Sequence, residues 1–149
     1  MTNTLIISEA KLRQFTDLND SVDTALLKNA VRTAQDIAIQ RVLGTKLYKS
    51  ILAQIAAGPV WTDANYENLV NDYIQDFLLY AAYYEALESI YIRPRNNGLL
   101  TPTGGENSIE VDRSLFNVKR QNAENKMQFY ADRLSSYLAE EQALFPELN

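Results

Sequence analysis

Residues 77–92 read Phe-Leu-Leu-Tyr-Ala-Ala-Tyr-Tyr-Glu-Ala-Leu-Glu-Ser-Ile-Tyr-Ile, and at helical spacing their apolar side chains fall on nearly every side. A helix that is apolar most of the way round has to be covered most of the way round. Thr62-Asp63 is a start signal for it. The upstream stripe of Tyr66, Leu69, Val70 and Tyr73 continues into Phe77, Tyr80, Ala81, Tyr84 and Tyr91. Arg93-Pro94 ends it, because the residue before proline disfavours the α region. The apolar run is too short to cross a bilayer and carries Glu85 and Glu88. The expectation is therefore a soluble fold in which this helix is either the centre of the core or also faces a second subunit.

The rest of the chain supplies helices to cover it. Ser8 caps a short helix, Glu9 to Phe15. Asn19 or Asp20 is expected to cap a long one running to Leu43, with Leu27, Ala30, Val31, Ala34, Ile37, Ala38 and Val42 at helical spacing and Gly44 closing it. Thr45 is expected to cap a third, about Lys46 to Ala57, ended by Gly58-Pro59. The last helix is expected from Asp112 or Ser114 to Glu141. Its second half is amphipathic through Met127, Tyr130, Ala131, Leu134, Tyr137 and Leu138. Its first half, Asn117 to Lys126, is polar apart from Val118 and Ala123. At about 1.5 Å per residue it spans roughly 40 Å. Such a length predicts that the first half projects or packs on another chain.

Between the last two helices lies the loop 93–111, rich in Gly98, Pro102, Gly104 and Gly105. Asn97 to Leu100 is expected to be extended and to pair with Ile109 to Val111. Taken together, the 149 residues read as a single all-α domain. The architecture is a helical bundle of about four main helices with a long Gly-rich loop or small hairpin before the last one, and a C-terminal tail at 143–149.

Composition narrows the chemistry. The chain has no cysteine and no histidine, so thiolate chemistry, the commonest metal ligand and the usual neutral-pH base are all missing. Glu85 and Glu88 stand three apart, as in carboxylate-bridged metal bundles, but no histidine completes such a site. They read instead as a partly exposed or inter-subunit face. Gly104-Gly105 lacks the order of a phosphate-binding loop. No nucleophile elbow is present. The expectation is no enzyme, no metal and no cofactor. A net charge of −5 without a basic tail argues against sequence-independent DNA binding. Residues 1–7 have neither a basic region nor a cleavage site, so no signal peptide is expected.

The candidate functional residues are those suited to protein contacts. Tyr73, Tyr80, Tyr84 and Tyr91 share one side of the fourth helix and fit core packing, whereas Tyr83 points elsewhere and fits an interface. Arg93, Arg95, Lys119, Arg120 and Lys126 cluster along the sequence around the loop and the polar half of the last helix. They form either a solvated face or a partner for an acidic neighbour. Asn97, Leu99 and Leu100 in the loop, and Leu144 and Phe145 in the tail, complete the set.

Several features together resemble the head–tail connector (head-completion or adaptor) proteins of tailed bacteriophages. A long N-terminal helix ends in Val42-Leu43-Gly44 and is followed at once by Leu47-Tyr48. A Tyr-rich helix leads to Arg93-Pro94. A Gly-rich insertion runs from Asn96-Asn97-Gly98 to Gly104-Gly105-Glu106-Asn107-Ser108. The last helix carries Tyr130, Leu134 and Tyr137-Leu138 and ends near Phe145-Pro146. The resemblance implies a structural virion protein of the neck, made in the host cytoplasm. Its subunits form a ring, usually twelve-fold, that extends the portal's DNA channel and receives the tail. The implied partners are further copies of the chain, the portal protein and tail or neck proteins; DNA passes without specific binding, and no membrane is involved. Residues 95–108 and the tail 143–149 are the implied docking regions. In such a ring −5 per chain sums to roughly −60, a sign of charge that lets DNA slide rather than stick. The alternatives are a tail-completion or tail-terminator protein, a cytosolic helical ligand- or protein-binding module, and an enzyme built on carboxylates.

Overall fold

The computed structural model describes residues 4–18, 21–91, 93–95, 98–100 and 109–148 and, of the side chains, those outside 91–112. The described residues form an all-α bundle of five helices. Helix α1 is Glu9–Phe15, and the Ser8 hydroxyl accepts a hydrogen bond from the Lys11 amide at its start. Helix α2 covers 24–43, helix α3 is Thr45–Ala57, helix α4 covers 64–91 and helix α5 is Ile109–Glu140.

Local chemistry sets the ends. Asp63 caps α4 by accepting from the Asn65 amide at 2.8 Å. The α2 start differs from the expectation at Asn19 or Asp20. Asp23 is the cap, accepting from the Ala25 amide at 2.9 Å, so the first turn begins at Thr24. Gly44, at φ 79°, ends α2 and opens α3 in one residue. A side chain there would strain the backbone, and Thr45, expected as the cap, is instead the first helical residue.

Helix α4 lies between α2 and α5, packing closely on both. Leu69, Val70, Ile74, Phe77, Leu78, Leu79, Ala81, Ala82, Ala86 and Leu87 are all buried. Of the two alternatives expected for this helix, the described side chains fit the centre of the core, enclosed by its own chain, rather than a face left over for a second subunit. Tyrosines make one wall of the enclosure. Tyr73 stacks on Tyr137 with ring centroids 4.0 Å apart, and Tyr80 stacks on Tyr130 at 5.4 Å.

Both long inner helices contain a π-helical turn, Gln35–Ile39 in α2 and Val70–Ile74 in α4. The first turn has a clear use. Gln35 is fully buried. Its Oε1 accepts from the Ile6 amide at 2.6 Å, and its Nε2 donates to the Thr4 carbonyl at 3.0 Å. One side chain thereby satisfies two backbone groups and holds residues 4–7 on the core, where Ile6 and Ile7 are buried.

The C-terminal tail is fastened in the same spirit. Short 3₁₀ turns, Gln142–Leu144 and Pro146–Leu148, carry the chain back over α3 and α4. Phe145 is fully buried, edge-on to Tyr66 at 5.2 Å and to Tyr137 at 6.2 Å. The Glu147 carboxylate accepts from the Tyr66 hydroxyl and from Ser50 Oγ. Phe145, expected on a free docking tail, is a core residue, and Leu144 packs partly buried beside that core.

Two further expectations change. Gly98–Leu100 pairs antiparallel with Arg93–Arg95, with Pro94 opposite Leu99, and not with 109–111. Ile109 already begins α5, three residues before the earliest expected start. The Gly-rich residues 101–108 and Asn97 lie outside the described residues.

Two substitutions test these clamps. Phe145→Ala should cost about 3–5 kcal/mol of stability, the usual range for emptying a buried aromatic site. Gln35→Ala, which removes the acceptor of the buried Ile6 amide, should cost about 1–3 kcal/mol. Urea denaturation followed by circular dichroism measures both, and a loss under about 0.5 kcal/mol at either site contradicts the packing described.

Candidate protein interface

The end of α1, α4 and the first half of α5 enclose an open groove of about 440 Å³. Phe15, Asp17 and Tyr83 form one side; Lys119, Asn122 and Lys126 form the other. Asp17 organises it. Its carboxylate accepts from the Tyr83 hydroxyl and pairs with the Lys119 ammonium, so one acidic residue after α1 ties together α4 and α5. Burial works to raise the Asp17 pKa, but the hydrogen bonds from Lys119 and Tyr83 and the charge of Lys119 outweigh it and hold the carboxyl below its usual 3.8. The Tyr83 hydroxyl is pushed upward, by burial and by donating to that carboxylate.

Lys126 completes the groove differently. Its ammonium lies over the Tyr80 ring, 5.5 Å from the centroid, and it meets no carboxylate among the described residues. With Lys119 and Asp17 paired, Lys126 leaves the groove locally cationic on a chain that is acidic overall.

The residues singled out from sequence do not form one cluster. Lys119 and Lys126 face the groove just described. Arg120 turns to the other flank of α5, where its Nε donates to the Tyr84 hydroxyl at 3.0 Å and its guanidinium lies 3.5 Å from Glu88. Arg93, Arg95, Leu99 and Leu100 have their backbone in the small two-stranded turn, and their side chains, like Asn97, lie outside the described residues. Tyr83 is half-buried against Asp17. The polar first half of α5 is thus fastened to α1 and α4 by ion pairs on both sides, and Ala123 is buried beneath it.

What sequence reasoning missed is on the outside of α5. Leu115, Val118 and Phe129 are 54%, 57% and 62% exposed. At about 100° per residue the three fall within roughly 60° of one another, about 140° from the core-facing Ala123, Leu134 and Leu138. With Phe15 at the groove mouth, four of the six large apolar side chains exposed among the described residues lie on this side of the molecule. The signal was present as a second apolar spacing within α5, but the polar residues between 117 and 126 masked it.

Among the described residues no three acidic side chains converge as a metal site would require. Glu88, one of the two carboxylates weighed as metal ligands, is 3.5 Å from Arg120. No helix among the described residues is long and apolar enough to cross a membrane. In comparison with known proteins, residues 39–149 match the model of a family described as a family of unknown function, DUF6712. No curated protein and no solved structure matches.

The groove makes a pH prediction. A carboxyl held low in the folded state contributes stability that is complete above its unfolded pKa, near 4, and is lost as pH falls through the folded value. NMR titration of the Asp17 side chain should therefore give a midpoint below 3.8, and Lys119→Met should move it upward. A wild-type midpoint above 3.8, or one that Lys119→Met leaves in place, contradicts the pairing.

Proposed function

The chain belongs to that family of unknown function, DUF6712, and for this member we propose a structural role: a ring subunit of the phage head–tail connector, which extends the portal's DNA channel and joins it to the tail. The observation that carries the reading is the outward ridge of Leu115, Val118 and Phe129 on a 32-residue helix. Large aromatic and aliphatic side chains exposed along one side of a helix suit a protein contact surface. The sequence features shared with connectors, from Val42-Leu43-Gly44 to Phe145-Pro146, supply the identity of that contact.

The all-α architecture weighs against a tail-completion or tail-terminator protein, which is more often α+β. Between the Tyr-rich helices α4 and α5, Tyr73 stacks on Tyr137 and Tyr80 on Tyr130, and the groove beside them carries Asp17, Lys119, Asn122 and Lys126, which weighs against a small apolar ligand. An enzyme built on carboxylates would need several of them gathered in a cleft with raised pKa values. Glu85 is the one carboxylate among the described residues with a resolved upward shift, and Asp17 and Glu147 shift downward.

Electron microscopy of the purified protein beside a candidate portal ring tests the proposal. The expected image is a ring of about twelve copies seated on the portal's tail-facing side. A protein that neither forms rings alone nor adds mass to the portal contradicts it.

A further inference from the structure

Helix α4 has a second groove, on the flank opposite the one that holds Asp17. Tyr83 and Glu85 are two residues apart, which places them about 200° apart around the helix. Tyr83 faces the cationic groove. Glu85 and Ser89 of α4 line a concavity of about 270 Å³ with Leu26, Asn29, Ala30 and Thr33 from α2. The two grooves differ in sign. Between 113 and 133, α5 carries five cations against two carboxylates, so the remainder of a chain at −5 stands at −8.

We infer that these two faces are complementary and bind each other in successive copies of the chain, Lys126 of one copy pairing with Glu85 in the α2–α4 groove of the next and Phe129 packing there on Leu26 and Ala30. The inference rests on the ring reading and gives it a specific contact. A ring closed by rotation needs two different faces on each subunit, one matching the other. Exposed apolar bulk is concentrated on the α5 side, and on the α2–α4 side Leu26 and Ala30 give a mainly polar concavity one apolar edge on which an aromatic ring can pack. Lys126 lies three residues before Phe129, hence on the neighbouring turn of the same face.

The charges favour this occupant over an unrelated one. Glu85 is half-buried and meets no cation among the described residues. Burial and the nearby Glu88 both push its pKa up, a cost that an ammonium from outside would offset. Lys126 has the converse need, with only the Tyr80 ring beneath it. Each copy therefore offers an unneutralised cation, Lys126, beside an exposed aromatic ring and an unneutralised carboxylate, Glu85, beside Leu26 and Ala30.

Charge reversal tests the pairing. Lys126→Glu, Glu85→Lys and the double variant are compared with wild type by light scattering across a concentration series, with circular dichroism to verify folding. Carbodiimide cross-linking and mass spectrometry map any Lys126–Glu85 bond between copies. Each single reversal should weaken self-association at least about tenfold, and the double reversal should restore most of it, as coupled interfacial charges do. A wild-type assembly that tolerates both single reversals overturns the inference and leaves the ring reading standing. Weakening by either single variant without rescue in the double overturns the pairing as well. A wild type that stays monomeric throughout and adds nothing to a portal removes the ring reading and the inference together.

Discussion

A helix that is apolar through most of its circumference has no stable place at a surface, and α4 is such a helix. Its burial between α2 and α5 dictates the order of the other elements. α2 supplies a continuous apolar stripe from Leu27 to Leu43 on one side, and α5 supplies Leu134, Leu138 and a row of tyrosines on the other. At about 25 cal/mol per Å² of apolar area removed from water, burying side chains such as Phe77, Leu78 and Ile74 is the largest favourable term available to the chain. The short helix α1, residues 4–7 and the tail close what the two long partners leave open. Each does so through a specific polar fastening: Asp17 for α1, Gln35 for the N-terminal segment, Glu147 for the tail.

Covering α4 from within has a consequence for function. The described apolar residues of α4 are largely spent inside the subunit, so they leave little greasy surface for a neighbour. Most of the exposed large apolar side chains among the described residues lie on or beside the reverse side of α5, a helix long enough to pack with one face and present another. Ion pairs on both flanks, Lys119 with Asp17 and Arg120 with Glu88, hold that helix at a fixed rotation. Leu115, Val118 and Phe129 therefore face outward because of the same residues that dock the helix. Exposed ion pairs contribute little stability, and their value here lies in orientation.

Much of the fold could be read from the sequence, because it rests on strong periodicity and unambiguous stops. Gly44, Gly58 and Pro94 end helices where backbone geometry requires it, and the Tyr73, Tyr80 and Tyr84 stripe does face a partner helix. Three things could not be read. The π-helical turns leave no mark in a hydrophobic pattern, since one extra residue per turn shifts the stripe without erasing it. Phe145 stands in a short tail with no helical periodicity, and only the tertiary structure shows that it closes the gap between Tyr66 and Tyr137. The basic residues near the loop looked like one patch in sequence, yet Lys119 and Arg120 are adjacent and therefore diverge by about 100° onto opposite flanks of α5. The candidate interface was half legible: Lys126 and Tyr83 were singled out, whereas the apolar ridge beside them was hidden among asparagines and glutamines.

Hydroxyl-radical footprinting over a range of protein concentrations measures the division between inner and outer surfaces most directly. The account predicts that Phe77, Leu78 and Phe145 stay protected at every concentration, while Phe129, Val118 and Leu115 react freely in dilute solution and become protected on assembly. Phe129 reacting at one rate whatever the concentration, or Phe77 and Leu78 reacting in dilute solution and gaining protection only on assembly, contradicts it.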